Sequence, residues 1–225
     1  MRRIFLALCL GVFAGSAIAQ DLDEDAVKQL VIETILENPD VVLDALRLVQ
    51  EREERQLFQQ ASGDVNALVI GDPNAPITIV EFFDYNCGFC KRAATVLRDV
   101  LEDNPDVKIV LREFPILNEG SMYAARAALA AREQGRYEDF HWAMMDIRQA
   151  NEASVLQTAE ELGLDMDQLK ADMQLETVES HLLLTRYLAE GLEISGTPAF
   201  LIGDEVVRGY KSADEFADLI AAQRG

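Results

Sequence analysis

Two cysteines separated by two residues stand out in this chain, in the run Cys87-Gly88-Phe89-Cys90. Cysteines at this spacing can close a small disulfide ring and exchange it with the thiols of another molecule. The exchange needs one cysteine whose thiolate is populated near neutral pH. Because the third cysteine, Cys9, falls in a segment predicted to be cleaved, the pair is the candidate centre for redox chemistry.

The pair could also serve as a structural disulfide or as part of a metal site. A purely structural disulfide across so short a loop removes little entropy from the unfolded chain, so it would stabilise the fold weakly. Two thiolates make half of a tetrahedral zinc site, and neither His141 nor His181 is adjacent to the pair in sequence. Two thiolates nevertheless suit Cu(I). Thiol–disulfide exchange is the favoured interpretation, Cu(I) stays open, and no cofactor or resident metal is predicted.

A strand and a helix are predicted to position the pair. Residues 77 to 83 are β-branched and aromatic, as in a buried central strand, and residues 91 to 102 carry a helical pattern before a further strand at 107 to 114. A β-α-β unit implies parallel strands. Unpaired N–H groups at the helix start would favour the Cys87 thiolate, and Lys91 and Arg92 would add positive potential. Cys90, one turn further in, is predicted to be the buried resolving thiol.

Glu81 is the one charged residue in the first of these strands, six residues before Cys87. Because it interrupts an otherwise apolar strand, it is predicted to be buried. Arg112, on the neighbouring strand, is a candidate partner for its carboxylate.

The pattern turns helical again from about 118 to 190, with Gly163 as a stop between two helices. His181 has no evident partner there and is predicted to lie on a helix surface. Two short β segments around Gly203-Asp204 then predict a hairpin, and Ser212 caps a closing helix.

Residues 1 to 19 have the form of a cleaved signal peptide. Arg2 and Arg3 precede an apolar run that is too short for a membrane anchor, and Ala17-Ile18-Ala19 is a small-residue cleavage motif. Export to the periplasm, an oxidising compartment, is therefore predicted. Cleavage would lower the formal net charge from −20 to −22, which argues against nucleic acid as a partner.

Residues 20 to 62 are predicted to form a helical extension. Val27, Leu30, Val31 and Ile35 fall on one helical face, and Asn38-Pro39 marks a break before the apolar pattern resumes. A segment of this length cannot bury its own core. Its apolar faces must pack on the main domain or on another subunit, and both possibilities stay open.

The stretch from residue 64 to the end resembles the DsbA-like family of exported thiol–disulfide oxidoreductases. The resemblance rests on the run EFFDYNCGFCK at 81 to 91 and on Gly196-Thr197-Pro198 before the hairpin. It implies an α/β thioredoxin fold in residues 63 to 225, interrupted by a helical domain. It also implies a cis-proline at Pro198, substrate contacts at Gly88, Phe89, Thr197 and Pro198, and a role for Glu81 in moving protons.

With its extension, the chain is similar to the suppressor-of-copper-sensitivity C proteins, through helical character and the Glu-Asn-Pro-Asp run at 37 to 40. That resemblance implies homo-oligomers held by residues 20 to 62, misfolded or disulfide-bonded protein substrates and a membrane redox partner. Gly88-Phe89 supplies neither a proline nor a cation, and it resembles the sites of bacterial disulfide isomerases. Isomerisation or reduction is predicted, with a monomeric dithiol oxidase and a copper-binding protein as alternatives.

Overall fold

The structure is a computed structural model that describes residues 23–63 and 68–225. The predicted signal peptide at 1 to 19, with Cys9, lies outside the described residues. By internal contacts the chain divides into two compact units, Met1–Val49 and Gln50–Gly225. None of the helices in the described ranges combines the length and apolar character that a bilayer crossing requires.

Two helices, α1 (Glu24–Glu37) and α2 (Pro39–Gly63), follow one another at the N-terminal end. The Asp23 side chain caps the start of α1, and Asn38 caps its end, so the predicted break at Asn38-Pro39 is confirmed. None of the residues in α1 is buried. Large apolar side chains of the first unit are therefore exposed, with Leu30 at 64% and Leu36 at 75% of their full accessible area.

The second unit is built on a five-stranded sheet. Its strands are β1 (Leu68–Gly71), β2 (Ile77–Phe83), β3 (Val107–Glu113), β4 (Ala199–Ile202) and β5 (Glu205–Arg208), in the spatial order β1-β3-β2-β4-β5. Only the β2–β3 pair is parallel among the described strand pairs, and α3 (Gly88–Asp103) is its crossover. The β4–β5 hairpin is followed by α9 (Ala213–Arg224), which Ser212 and Glu215 cap reciprocally. The predicted fold class is confirmed.

A helical block separates β3 from β4. It consists of α4 (Glu119–Glu133), α5 (Tyr137–Asp146), α6 (Glu152–Glu161), α7 (Met166–Asp172) and α8 (Glu176–Gly191). Gly163 follows α6 with φ +73°, a conformation that glycine adopts without steric cost, so this stop is confirmed. Buried alanines on α4 allow its neighbours to approach closely.

The two faces of β2 take part in two different apolar cores. Ile79 and Phe83 point into the core shared with α3 and the helical block, whereas Val80 and Phe82 point into a second core on the opposite face. Glu81 lies between Ile79 and Phe83 in the alternation and so faces the first core. The register pairs Glu81 with Leu111 and Phe82 with Arg112.

Arg112 therefore lies on the face opposite to Glu81, and the predicted pairing of these two residues is wrong. Its guanidinium is fully buried, and Nε and Nη2 donate to the carbonyl oxygen of Ala61 at 3.0 and 2.7 Å. Nη2 also donates to the carbonyl of Gln60 at 3.1 Å. These carbonyls belong to the last turn of α2, where helical acceptors lack internal partners. The segment predicted as an extension thus contributes its last turns to the second core, where Phe58 and Ala61 are also buried.

Replacing Arg112 with methionine should destabilise the second unit, because the carbonyls of Ala61 and Gln60 lose a buried, charged donor. We expect a loss of about 2–4 kcal/mol in the free energy of unfolding, measured by urea titration. The matched control is Arg186→Met, since the Arg186–Glu190 ion pair is about 70% exposed (side chains 72% and 71%) and should contribute below about 0.5 kcal/mol. Equal losses in the two variants would contradict the anchoring role.

Candidate active site

Cys87 occupies the residue that caps the N-terminus of α3, directly beyond the carboxyl end of β2. Its side chain is almost buried, with 7% of the residue exposed, and its Sγ lies 3.2 Å from the carbonyl oxygen of Thr197, to which the protonated thiol donates. Cys90, one turn along the helix, is fully buried, and both thiols are free. The two sulfurs therefore differ in access to a substrate, and Cys87 is the one at the surface.

Hydrogen-bond donors around the Cys87 sulfur lower the pKa of this thiol to about 5. The largest contribution is the hydrogen bond from the Cys90 thiol, which outweighs the opposing effect of burial; Thr197 and the backbone N–H groups of Cys90 and Phe89 add to it. At pH 7 the thiolate then outnumbers the thiol about a hundredfold. Cys87 has the properties of a nucleophile.

Cys90 differs from Cys87 in protonation as well as in burial. Desolvation raises the pKa of the Cys90 thiol, and so does its role as the donor to Cys87. Cys90 is consequently a neutral thiol that needs a base before it can attack a disulfide.

Lys91 makes structural contacts in addition to the positive potential that the sequence predicts for it. Its Nζ donates to the carbonyl oxygens of Met144 and Met145 at 3.0 and 3.4 Å, at the end of α5. Burial lowers the pKa of Lys91, while the nearby cysteines and acidic groups favour its charged form. The side chain thus ties the first turn of α3 to the helical block.

Glu81 is fully buried beneath the cysteines, on the face of β2 that α3 covers. Both of its carboxylate oxygens lack a hydrogen-bond partner among the described residues. Burial, and to a lesser degree the Cys87 thiolate, raise the pKa of Glu81 to about 8. At neutral pH the side chain is mostly a carboxylic acid, and its charge when ionised acts on Cys90.

The other predicted site residues lie around Cys87. The Thr197–Pro198 peptide bond is cis, as the resemblance implied, and it presents the Thr197 carbonyl to the Cys87 sulfur. Gly88 is exposed with open space beside its Cα, and Phe89 is 54% exposed. Pro198 is buried, and its carbonyl accepts from the Gly209 N–H at 2.9 Å. The exposed members form a rim on which a polypeptide could lie.

The segment before Cys87 is fixed by two polar residues that the sequence analysis did not single out. The Asp84 carboxylate accepts from the backbone N–H groups of Asn86, Ile116 and Leu117 at 2.7 to 3.0 Å. Asn86 donates to the carbonyl oxygen of Ala150 and accepts from its N–H. A run of polar residues in the short turn between a strand and a helix was the available signal.

A buried polar network lies deeper, between the sheet and the helical block. Tyr137 donates to Glu113, whose Oε2 lies 3.0 Å from His181 Nε2, and Tyr85 shares a hydrogen bond of 3.2 Å with His141 Nδ1. His181 is 5% exposed, so its predicted surface position is wrong. Burial lowers the pKa of His141 to about 3, which keeps its ring neutral. The partners are far apart in sequence, so no local pattern could have revealed the network.

The two histidines are thus part of the core network, and the cysteines have no metal-binding neighbours within the described ranges. No three side chains of the metal-ligating types converge anywhere in residues 23–63 and 68–225. Within these ranges no residues are available to complete a zinc site with Cys87 and Cys90.

Comparison with known proteins adds a family match. Residues 78–221 match the DSBA-like thioredoxin domain. A thioredoxin-like oxidoreductase from Silicibacter pomeroyi DSS-3 is 44% identical with a TM-score of 0.72, over 74% of this chain and 96% of that one. The chain is also similar to Proteus mirabilis ScsC in a transitional conformation, at 25% identity and a TM-score of 0.68, over 89% of this chain and 96% of that one.

A curated relative of another kind is the Na(+)/H(+) antiporter NhaA 3 of Salinispora tropica, 30% identical over 174 residues. The match covers 70% of this chain and 26% of the antiporter. This chain therefore spans about a quarter of the length of that relative, and the similarity concerns one domain-sized part of it.

The unequal thiols predict a low midpoint for alkylation of Cys87. In the reduced protein, the rate at which iodoacetamide alkylates Cys87 should rise with pH around a midpoint of about 5, well below the pKa of an ordinary cysteine thiol. Cys90→Ala removes the strongest donor and should raise this midpoint, whereas Cys90→Ser keeps a donor and should raise it less. An unchanged midpoint in Cys90→Ala would contradict the assigned cause.

The same pKa shift predicts how the stability of the reduced protein depends on pH. Because the pKa of Cys87 is lower in the folded than in the unfolded state, the thiolate stabilises the fold above the unfolded pKa, and this contribution is lost as pH falls through about 5. Urea titrations between pH 9 and 4, compared with Cys87→Ser, isolate the contribution. Identical pH profiles for the two proteins would argue against a stabilised thiolate.

Proposed function

Because the chain belongs to the family of DSBA-like thioredoxin domains, we propose that it is a thiol–disulfide oxidoreductase that isomerises or reduces non-native disulfides in proteins. The observation that carries the proposal is the unequal pair. Cys87 is a near-surface thiolate at a helix start with a pKa of about 5, and Cys90 is a buried neutral thiol behind it. This arrangement fits attack on a substrate by one sulfur and resolution by the other.

In the first step the Cys87 thiolate attacks one sulfur of a substrate disulfide. A bond forms between Cys87 and that sulfur, and the other substrate sulfur leaves as a thiolate. The cis Thr197–Pro198 segment lies against the reacting sulfur, so Thr197 backbone groups are placed to align the substrate chain. Gly88 adds no side chain that would obstruct this approach.

The mixed disulfide has two exits. In isomerisation, another thiolate of the substrate attacks the substrate sulfur that is bonded to Cys87. A new disulfide forms within the substrate and Cys87 leaves as a thiolate, with no net transfer of electrons. In reduction, Cys90 attacks the Cys87 sulfur, the substrate leaves as a thiol, and two electrons have passed from the enzyme to the substrate. The resulting Cys87–Cys90 disulfide must then be reduced by a partner dithiol, for which we propose a membrane protein.

The low pKa of Cys87 is compatible with isomerisation, because a thiolate must serve there both as attacking and as leaving group. The thiolate of the strongest oxidant of this fold has a pKa of about 3.5, and that of thioredoxin about 7. A pKa of about 5 lies between these limits, where the thiolate is both a useful nucleophile and a fair leaving group. Gly88-Phe89 adds no cation that would lower the pKa further.

We propose Glu81 as the base for Cys90. While Cys87 is a thiolate, its charge helps to hold Glu81 protonated. In the mixed disulfide that charge is gone, so the smaller of the two contributions to the raised pKa of Glu81 is removed, and the carboxylate form costs less when Cys90 must lose its proton. The absence of a hydrogen-bond partner for either oxygen among the described residues leaves Glu81 free for this exchange.

The first unit supports an oligomeric form of the enzyme. Apolar side chains along α1 and the start of α2 are exposed by 38 to 75%, which is unusual for a monomer and typical of an interaction surface. We propose that the exposed part of residues 20 to 62, before Gln50, joins copies of this chain, since the last turns of α2 pack in the second core. Several dithiols close to one bound misfolded protein would raise their effective concentration, which benefits isomerisation most. If the chain is a monomer, the alternative of a monomeric dithiol oxidase is favoured over an isomerase.

Export remains part of the proposal through the predicted signal peptide at 1 to 19. In the periplasm, disulfides form readily and an enzyme that corrects them has substrates. Cu(I) binding is less well supported than exchange, because Cys90 is a neutral thiol and would have to lose its proton to complete a two-thiolate site.

The role of Glu81 predicts a selective defect in Glu81→Gln. Attack by Cys87 on a peptide disulfide should keep its rate, whereas resolution of the mixed disulfide by Cys90 should slow by about 10²-fold because the base is missing. Single-turnover mixing with quenched-flow detection of the mixed disulfide separates the two steps. The control is Asp99→Asn, which removes the charge of an exposed residue on α3. Equal slowing of both steps would argue for a structural role.

The proposed oligomer predicts a separable effect of the first unit. We expect a triple variant to be monomeric, with a light-scattering mass of one chain; its substitutions are Leu30→Gln, Leu36→Gln and Leu43→Gln. The variant should also refold a scrambled multi-disulfide protein more slowly than the wild type. Alkylation of Cys87 should be unchanged. Leu183→Gln, at 58% exposure on α8, is the control. A wild-type monomer with full isomerase activity would overturn the oligomer but not the exchange chemistry.

A further inference from the structure

Arg92 is an exposed cation whose position is fixed by two aromatic rings. Its guanidinium carbon lies 4.2 Å from the centre of the Phe89 ring and 5.4 Å from that of the Tyr210 ring. Both distances are within the range of a favourable cation–π contact, about 6 Å. Phe89 precedes Arg92 by three residues on α3, so the two side chains share a face of the helix. Tyr210 comes from the loop between β5 and α9.

Arg92, Phe89 and Tyr210 are connected to the reactive sulfur through a series of contacts. Cys87 contacts the carbonyl of Thr197, and the carbonyl of the adjacent Pro198 accepts from the N–H of Gly209, which directly precedes Tyr210. Tyr210 then contacts Arg92, which contacts Phe89 two residues from Cys87. Arg92 lies five residues after Cys87, a rise of about 7.5 Å along the helix axis, and its contact with the exposed Phe89 brings its guanidinium to the rim beside Cys87.

Arg92 keeps its charge available for a ligand. In the part of the chain that the structure describes, no carboxylate forms an ion pair with it, although the protein has 40 acidic and 20 basic residues. Arg98, six residues further along α3, differs in this respect. Its guanidinium carbon lies 4.7 Å from the centre of the Trp142 ring, and its Nη2 also forms an ion pair with Asp146 Oδ2 at 3.0 Å. An arginine held against two rings has restricted side-chain freedom, and its planar fork of N–H groups suits a carboxylate.

We propose that Arg92, held by Phe89 and Tyr210, is a specificity-determining residue that favours substrate cysteines with an aspartate or glutamate one or two residues away. The inference rests on the proposed thiol–disulfide exchange at Cys87. In an extended substrate, successive residues are about 3.3 Å apart, so such a side chain lies close to the rim when the substrate sulfur meets Cys87. The preference acts on binding and orientation, and the exchange step itself is unchanged.

The test uses the reduced full-length protein and paired synthetic peptides, each with one cysteine as a mixed disulfide with 2-mercaptoethanol. The pairs differ by aspartate or asparagine at one of the two positions on either side of the cysteine. At low ionic strength, the best aspartate peptide should react about 3- to 5-fold faster than its asparagine partner, the limit for an exposed ion pair. High salt should bring this ratio to about one.

Arg92→Gln should abolish the ratio while the asparagine peptides continue to react, and Arg92→Lys should retain part of it. Arg98→Gln, the matched control, should leave the ratio unchanged. Any effect of Arg92→Gln on the Cys87 thiolate alters both peptides of a pair equally and cancels in the ratio. A wild-type ratio of one, or a ratio that survives Arg92→Gln, overturns the inference. Failure of every peptide to react with the wild-type protein would instead overturn the proposed exchange activity.

Discussion

The site depends on the placement of a single negative charge in a region that is almost completely buried. Donors at the start of α3 hold that charge on Cys87, and the strongest donor is Cys90 itself. The same burial raises the pKa of Cys90 and of Glu81, so both stay neutral while Cys87 is ionised. A second charge among these three groups would be costly, and the order in which they ionise follows from that constraint.

The alternation of side chains along β2 and β3 separates two tasks within one pair of strands. One face carries Glu81 toward the cysteines, and the other carries Arg112 toward the last turn of α2. A pairing of Glu81 with Arg112 would have fixed the carboxylate in its charged form and removed it as a proton carrier. Their separation leaves Glu81 neutral and Arg112 as a structural anchor for helical carbonyls.

The helical block takes part in the site through polar contacts as well as through its apolar core. Asn86 and Lys91, on either side of the cysteine pair, bond to backbone groups at Ala150 and at the end of α5. Beneath them, Tyr137 and His181 contact the buried Glu113 at the end of β3. The block thus fixes both the turn that precedes Cys87 and the first turn of α3, which keeps the donors around the sulfur in place.

The sequence alone determined the β-α-β unit, the helical block as a whole, the closing hairpin and helix, the cysteine pair at a helix start and the burial of Glu81, because these follow from local hydrophobic periodicity and turn chemistry; the division of the block into five helices came from the structure. It failed at Arg112 and His181, whose partners come from elements more than 50 residues away in sequence or across the helical block. Only the tertiary structure decided the face on which each strand residue lies and the strength of the donors at Cys87. It also decided that Arg92 meets Tyr210, because strand register and loop packing bring together residues that no local pattern connects.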